Sequence, residues 1–302
     1  MNQLLSLLFL LLPMFVGYLL PIKSKPLLSL IDKSVGWSVY IILWVMGVGL
    51  AHLDNLGGDA FNIILYAVLF LIAVLFLNGI AMMIFDFYFP WQNHIQQNNE
   101  QKHKPSVSGS LKQILCVIVG VISGMIFPFF RLPENTVSYL LMILLFLIGI
   151  GLRNNGIALH SVLLNKRGLQ LALINIVATL GGGLILGFII GLPLMKSLAL
   201  SSGFGWYSLS GSIMTQAYGP FWGAVALLCD LGREFVALMF IPVLMRRFPS
   251  LAISTGGATA LDFTLPTIYR AGGSQAATLA IAYSFIINIV SPVLLIFFSG
   301  IK

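Results

Sequence analysis

Four ionisable side chains lie within one strongly apolar stretch of the chain, residues 198–265. Asp230, Arg233 and Glu234 belong to a single apolar run, and Asp262 ends a later segment rich in Gly, Ser and Thr. Such residues are scarce, because only 8% of the 302 residues are charged and 59% are hydrophobic. In a bilayer an ionisable group costs about 3 kcal/mol or more unless it is paired or hydrated. The four groups are therefore candidates for a functional site.

Asp230, Arg233 and Glu234 follow the i, i+3, i+4 spacing that places side chains on one face of a helix. Two interpretations remain open. Arg233 could satisfy one carboxylate at close range and lock the packing of its helix. Alternatively, two carboxylates against one guanidinium leave a net negative charge, which a proton or a bound cation would balance. The unmatched acid favours the second interpretation.

Asp262 and Asp54 are two further candidate acids. Asp262 lies between TGGATAL and FTLP, whose glycines indicate backbone that lines a cavity, and Pro266 ends any helix there. Asp54 ends an apolar run in AHLDN, where a solvated helix end and a functional acid are equally good interpretations. Trp206 and Tyr207 could stack on an ammonium group or anchor their segment at an interface. The residues expected to line a substrate path are Ser202, Gly203, Gly205, Trp206, Tyr207, Ser208, Ser210, Thr255, Gly256, Gly257 and Thr264.

The composition places the chain in the membrane class. Its mean hydropathy is +1.00, and a soluble chain of this length would need far more polar surface. A net charge of +7 would suit a nucleic-acid partner, but the Lys and Arg residues fall in short loops between apolar runs, as in a polytopic membrane protein. Cys116 and Cys229 lie inside apolar runs, which indicates neither a disulfide framework nor a metal site. We expect a lipid bilayer around the chain, no nucleic-acid partner and no cofactor.

Eight apolar windows come close to the length of about 20 residues that a membrane-spanning helix needs. They cover residues 3–20, 37–53, 60–85, 111–130, 137–152, 169–192, 219–244 and 272–299. Segments 197–217 and 251–268 are too rich in Gly and Ser for lipid-facing spans, so we expect re-entrant or broken helices covered by protein. Residues 86–110 form a long polar stretch and are expected to be a loop. The predicted fold class is all-α, a polytopic membrane protein with about eight transmembrane helices.

The distribution of positive charge predicts the orientation. With the N-terminus outside and both short segments re-entrant, twelve of the 16 Lys and Arg residues fall inside and three outside. If both short segments crossed the membrane, ten would fall inside and five outside. The re-entrant arrangement fits the positive-inside rule better, and both arrangements place the C-terminus outside. We expect an N-out, C-out chain.

Residues 1–192 contain an internal repeat. GYLLP at 17–21 resembles GMIFP at 124–128, and GVGLAHLDN resembles GIGLRNN in the same two regions. The repeating unit holds three spans, and an odd number of spans means that the second copy is inserted upside down. We therefore predict two inverted three-helix repeats joined by the polar loop 86–110.

Residues 193–302 contain a second repeat. SSG at 201–203 resembles STG at 254–256, and IPVLM resembles SPVLL further along each unit. Each unit holds one re-entrant segment and one span, which again predicts inverted copies. Inverted repeats with interrupted helices that meet near the membrane midplane are typical of secondary transporters. We predict that these two units form a transport core.

The same residues carry a resemblance to a known family. SGFGWYSLSG at 202–211, DLGREF at 230–235 and ATALDFTLPTIYRAGG at 258–273 resemble the LysO-type L-lysine exporters of bacteria. VGYLLP, LAHLDN, PWQNH and LLFLIGIGLRNNG agree as well, so the likeness covers essentially the whole chain. The resemblance implies export of L-lysine, and of its toxic analogue thialysine, across the bacterial cytoplasmic (inner) membrane. It also implies membrane-embedded acids that match Asp54 and Asp262.

Export of a cation requires coupling to another process. Moving the single net charge of lysine outward opposes the membrane potential by roughly 2.3 kcal/mol per 100 mV. Proton entry is the simplest coupling, because a carboxylate removed from water takes up a proton more readily. Our hypothesis is that Asp262 and Asp54 alternate between substrate ammonium groups and protons, with Asp230, Glu234 and Arg233 in the same substrate or proton path.

Two other function classes were weighed against a lysine exporter. An intramembrane aspartyl protease is disfavoured because the chain has no GxGD motif, and no HExxH metal motif is present, so no enzyme is expected. A sodium- or proton-coupled importer of an organic anion remains the alternative, although it calls for a cationic site and acids outnumber Arg233 in the cluster. The residues leave open whether the chain works alone or as a homodimer.

The first prediction concerns Asp262. Asp262→Asn removes a titratable group and should abolish lysine export while the protein still inserts in the membrane. Export from cells, measured beside membrane abundance of the same variant, tests this. Retained transport by Asp262→Asn would refute the role given to this acid.

Overall fold

The computed structural model describes residues 12–13, 15–22, 24–51, 56–90, 108–127, 133, 136–154, 165–261 and 263–300. This part of the chain is helical and contains no strand, so the all-α prediction is confirmed for it. We number the helices in chain order: α1 (Lys25–Ala51), α2 (Leu56–Tyr88), α3 (Ser108–Ile126), α4 (Thr136–Asn154), α5 (Lys166–Ile189), α6 (Leu194–Ser201), α7 (Tyr207–Tyr218), α8 (Pro220–Leu244), α9 (Pro249–Gly256) and α10 (Leu265–Gly300).

Among the described residues, four helices are long and apolar enough to cross a membrane. They are Pro26–Ala51, Asp59–Tyr88, Lys166–Ile189 and Gln275–Gly300. Helix α8 has a comparable length of 25 residues, but it carries the three charged residues of the predicted cluster. Helices α3 and α4 have 19 residues each. These findings fit a membrane protein, and the total of eight spans stays a prediction.

Some helix boundaries differ from the predicted windows. Helix α1 begins at Lys25, so Lys33 lies in a helix and not in a loop. Helix α2 continues to Tyr88, which places Asp86 inside a helix and buried, not in the predicted loop 86–110. The reason is that an apolar window marks only the lipid-facing part of a helix. Polar residues can continue the same hydrogen-bonded helix beyond that part.

Helix α10 consists of two helices joined at a kink. Gly273 has φ 73° and ψ −169°, which is not a helical conformation. The left-handed φ is readily adopted only by glycine, so this residue permits the change of direction. The later part, Gln275–Gly300, corresponds to the predicted window 272–299.

The N-terminal helices cross at glycines in two reciprocal contacts. Gly17 faces the backbone of Phe146 and Ile150 on α4, where an added Cβ would collide. Gly124 on α3 faces Val48 on α1 in the same way. The sequence repeat pairs Gly17 with Gly124 and Val48 with Ile150. The two crossings are therefore equivalent contacts of two similar units.

Helix α5 uses glycines on two sides to bring its neighbours close. Gly182 faces the backbone of Ala73 on α2, while Gly183 and Gly187 face Ser201 and Ser197 on α6. A Cβ at any of these glycines would collide with the neighbouring helix. Such small residues allow apolar helices to approach at backbone distance. Helix α5 thereby fixes the position of α6, the first half of the first Gly- and Ser-rich segment.

Both Gly- and Ser-rich segments are broken helices, as predicted. The first break, residues 202–206, separates α6 from α7 and includes left-handed Phe204 (φ 50°) and Gly205 (φ 92°). The second break follows α9 and includes residues 257–261 and 263–264, with left-handed Gly257 (φ 58°) at its start. A left-handed residue cannot continue a right-handed helix, so each helix must end there.

The first broken helix is a hairpin. The Nζ of Lys196, near the start of α6, lies 4.9 Å from the ring centroid of Tyr218 at the end of α7. In a straight helix these two residues would lie about 33 Å apart. Lys196 also contacts Trp222, whose ring lies 5.4 Å from that of Tyr66 on α2. The hairpin therefore starts and ends on one side, which we name the Tyr66 end of the bundle.

The second broken helix starts at the opposite end, which we name the Asp86 end. Asp86 accepts a hydrogen bond from the N–H of Ser250 at the start of α9 and lies 3.5 Å from Arg167 at the start of α5. The next residue of α5, Gly168, packs against Ala282 on α10. The chain has therefore returned to the Asp86 end after the second break.

Helix α10 then runs back through the bundle to the Tyr66 end, where Phe298 packs in the same apolar cluster as Tyr66. Tyr66 and Asp86 lie about 30 Å apart along α2, because 20 residues separate them. The two hairpins thus enter the bundle from opposite ends. Their breaks meet between those ends.

Candidate functional site at the crossing of the two breaks

The two breaks touch through their backbones. The N–H of Ala258 in the second break donates a hydrogen bond of 2.9 Å to the carbonyl of Phe204 in the first. Gly257 lies so close to that carbonyl that a Cβ would collide with it. Gly205 in turn lies beside Gly256 and Arg233. Glycines in both breaks therefore allow the close approach, and we call this region the crossing.

Asp230 on α8 holds the first break. Its carboxylate accepts the N–H of Gly205 at 2.8 Å and the hydroxyl of Ser210 at 2.5 Å. Gly205 lies in the break just before α7, and Ser210 lies in the first turn of α7. The helix dipole is positive at this end. Asp230 is only 4% exposed. These charge-assisted hydrogen bonds stabilise a buried carboxylate that would otherwise be costly.

Arg233, one turn later on α8, holds the second break. Its Nε donates to the carbonyl of Thr255 at 3.1 Å. Its Nη2 donates two hydrogen bonds, to the carbonyl of Ser254 at 2.8 Å and to Oδ1 of Asn175 at 3.0 Å. The two carbonyls belong to the last turn of α9, where the helix dipole is negative. The last carbonyls of a helix have no N–H partner within the helix, and a guanidinium at that end donates hydrogen bonds to them. Arg233 is 1% exposed.

Arg233 and Asp230 do not form a simple ion pair within α8. The hydrogen bonds of Arg233 go to α9 and α5, and those of Asp230 come from the first hairpin. The i, i+3 spacing does place both on one face, but a rise of about 4.5 Å along the helix lets each one meet a different break. Glu234 is also buried, with 1% of its surface exposed.

Helix α10 contacts both breaks as well. The hydroxyl of Ser291 donates to the carbonyls of Ser202, at 2.8 Å, and Gly203, at 3.2 Å. Asn288, one turn earlier, and Ser284, two turns earlier, both donate to the carbonyl of Ala258. Each break is thus held by α8 and by α10. The unwound backbone groups named here have partners even though they lie in an apolar core.

Two buried amides connect the crossing to helices α2 and α5. Asn78 donates to the hydroxyl of Ser254 at 3.1 Å, and Asn175 accepts from Arg233 and Thr179. Both amides are 0% exposed. The Oδ1 of Asn78, the Nδ2 of Asn175 and the hydroxyl of Thr264 make no hydrogen bond to any residue that the structure describes. Buried polar atoms of this kind call for a water molecule or a ligand.

The described members of the predicted site come together. The following are buried and lie in or directly beside the two breaks: Ser202, Gly203, Gly205, Trp206, Tyr207, Ser208, Ser210, Asp230, Arg233, Thr255, Gly256, Gly257 and Thr264. Glu234 is buried next to Arg233 in the sequence of α8. The burial of Trp206 and Tyr207 disfavours an interfacial anchor. Asp54 lies outside the described residues, in the connection from α1 to α2. Asp262 lies outside them too, although its neighbours Leu261 and Phe263 belong to the second break.

The sequence analysis missed the side chains on neighbouring helices that hold the breaks. They are Asn78, Asn175, Ser254, Tyr283, Ser284, Asn288 and Ser291. A signal was available, since FLNGI, LINIV and IINIV each place one amide in an apolar run. A lone polar residue in a membrane helix usually faces the protein interior.

Comparison with known proteins decides the family. The profile of the family described as "Lysine exporter LysO" matches residues 114–299, more than half of the chain. The chain belongs to the LysO lysine exporter family. It is 42% identical over 296 residues to "Lysine exporter LysO" of Escherichia coli strain K12, covering 98% of this chain and 99% of that protein. It is 45% identical over 185 residues to "Putative lysine exporter" of Haemophilus influenzae, covering 61% of this chain and 95% of the relative. No solved structure matches the chain.

The geometry of the site predicts the effect of removing Arg233. Arg233→Met deletes three buried hydrogen bonds, at about 1.5–3 kcal/mol per charged hydrogen bond at most. The carbonyl of Ser254 keeps the hydrogen bond from the hydroxyl of Tyr283, whereas the carbonyl of Thr255 loses the donor named here. We expect the apparent melting temperature of the purified protein in detergent to fall by roughly 5–10 °C.

Arg246→Met is the matched control, since Arg246 is exposed just after the same helix. It should melt within about a degree of the unaltered protein, because exposed substitutions change stability little. An Arg233→Met variant as stable as Arg246→Met would contradict the role of Arg233 in holding the second break.

Proposed function

We propose that the chain is a secondary active transporter that exports L-lysine from the cytoplasm. The family and the names of two relatives support amino-acid export. The observation that carries the proposal is the crossing itself. Two hairpins enter from opposite ends and meet at unwound backbone held by buried Asp230 and Arg233. Interrupted helices of this kind form substrate sites in secondary transporters, because their ends present charged and dipolar groups inside the membrane.

The proposed architecture has eight spans and two re-entrant hairpins, N-out and C-out, in the bacterial inner membrane. The reciprocal contacts of Gly17 with Ile150 and of Gly124 with Val48 support the inverted repeat in residues 1–192. Entry of the two hairpins from opposite ends supports the second inverted repeat in residues 193–302. In such a design the two halves rock or slide about a central site, which thereby opens to each side in turn.

The proposed mechanism is antiport of lysine against protons. Asp54 and Asp262 bind the ammonium groups of lysine on the inward-facing side and exchange them for protons on the outward-facing side. The position of Asp262 in the sequence supports this part of the proposal, because the residues before and after it, Leu261 and Phe263, lie in the second break. Thialysine should follow the same route, since replacement of one methylene by sulfur leaves both ammonium groups and the carboxylate unchanged.

Asp230 and Arg233 have a different part in this mechanism from Asp54 and Asp262. Their hydrogen bonds keep α7 and α9 aligned with the crossing while the substrate passes. A change of either residue alters the path even though neither needs to carry a proton. Glu234, buried beside Arg233, remains part of the proposed path.

Counterflow in proteoliposomes tests the proposed function. Vesicles that hold purified protein and unlabelled lysine should accumulate labelled lysine, and an imposed pH gradient should accelerate the exchange. Exchange that ignores the pH gradient would keep lysine as substrate and refute proton coupling. Absence of lysine exchange, together with exchange of an organic anion, would refute the export of lysine and support the importer alternative.

A further inference from the structure

Arg233 has donor capacity beyond the hydrogen bonds that hold the second break. A guanidinium carries five N–H groups in one plane, on Nε, Nη1 and Nη2. The three hydrogen bonds of Arg233 start from Nε and one terminal nitrogen, Nη2. The second terminal nitrogen, Nη1, makes no hydrogen bond to any part of the chain that the structure describes. Two N–H groups of a buried cation therefore remain for another acceptor.

Asn175 offers a further donor beside Arg233. Its Oδ1 accepts from Arg233 at 3.0 Å and from Thr179 at 3.2 Å, so the orientation of the amide is determined by two donors. The opposite atom, Nδ2, is buried and has no hydrogen-bond partner among the described residues. Leaving such a donor unsatisfied is costly inside a protein. It therefore calls for an acceptor beyond the described residues, such as a water molecule or a ligand.

Glycines of both breaks lie directly beside the guanidinium. Gly257 in the second break lies where a Cβ would come within 3.3 Å of Cζ of Arg233. A Cβ on Gly205 in the first break would come within 3.6 Å of Cδ. Side chains at either position would crowd the guanidinium. Because both positions are glycine, only backbone and no side chain from these residues lies beside the guanidinium.

We propose that Nη1 of Arg233 and Nδ2 of Asn175 bind the α-carboxylate of the transported amino acid. A carboxylate is the acceptor that guanidinium N–H groups suit best, since both are planar and the hydrogen bonds are charge-assisted. This inference rests on the proposed function and makes it more specific. Acidic residues recognise the ammonium groups, while Arg233 and Asn175 distinguish an α-amino acid from a simple amine.

The test compares L-lysine with cadaverine, which is lysine without the α-carboxylate. Competition of each compound with labelled lysine, for binding to the full-length protein in detergent, gives the preference for the carboxylate. We expect the unaltered protein to prefer lysine by about 10- to 100-fold, the range expected of hydrogen bonds to a charged group.

Asn175→Asp is the decisive variant. It keeps an oxygen for Arg233 to bind but replaces the Nδ2 donor by a second, negative oxygen. The preference for lysine over cadaverine should fall by at least about tenfold. Asn78→Asp is the matched control, because it introduces the same charge at a second buried amide. Asn78 donates a hydrogen bond to Ser254, whereas Asn175 accepts one from Arg233. That control should keep the preference of the unaltered protein even if both affinities decrease.

An unchanged preference in Asn175→Asp, with Asn78→Asp behaving alike, would overturn the inference. If Asn175→Asp does not yield monodisperse protein, Asn175→Leu removes the same donor without adding charge and carries the same expectation. Failure of the proposed function gives a different result. The unaltered protein would then bind neither lysine nor cadaverine. The inference would be tested with an amino acid that the protein does bind, by comparing its affinity with that of the amine that lacks its α-carboxylate.

Discussion

The structure depends on satisfying the backbone of two helices that stop inside an apolar core. Each interruption leaves N–H or C=O groups without a partner in their own helix, and lipid offers none. Helix α8 supplies both kinds of partner one turn apart. Asp230 accepts from the start of α7, and Arg233 donates to the end of α9. Charge that would be costly in isolation is thus matched to the dipoles of two helix ends.

Much of the remaining packing brings the two breaks to this helix. Gly183 and Gly187 let α5 and α6 touch, and Gly257 lets the second break lie against the first. Ser291 on α10 provides a second side chain that holds the first break. The two hairpins enter from opposite ends of the bundle. A small movement of one hairpin past the other would therefore change the access of a substrate to the crossing differently from each end. In this account helices α5, α8 and α10 hold the two breaks in position, and the crossing is where the substrate passes.

The sequence was sufficient to predict the broken helices, since runs of Gly and Ser in an apolar chain permit few other structures. It also located the charged cluster on α8. It could not assign Asp230 and Arg233 to different breaks, because spacing along one helix carries no information about the neighbours that each side chain meets. The amides Asn78 and Asn175 were missed for a related reason. A single polar residue in an apolar run becomes informative only when the fold shows what it faces.

Helix ends were also harder to predict than helix existence. Apolar windows do not mark where α1 begins or where α2 ends, because hydrogen bonding continues through polar residues such as Asp86. The sequence repeat pairs Gly17 with Gly124. It could not show that the helix contacts at these two glycines are equivalent, because that depends on how whole helices pack. Periodicity and composition describe one segment at a time. Contacts between distant segments require the fold.

The central claim is that the crossing lies on the path of the substrate and opens to each side of the membrane in turn. A single cysteine at Thr264, in a chain whose Cys116 and Cys229 have been replaced, tests it directly. The account predicts that a membrane-impermeant thiol reagent modifies this cysteine from either face of sealed vesicles, and that lysine slows the reaction. Modification from one face only, or a rate that lysine leaves unchanged, would contradict it.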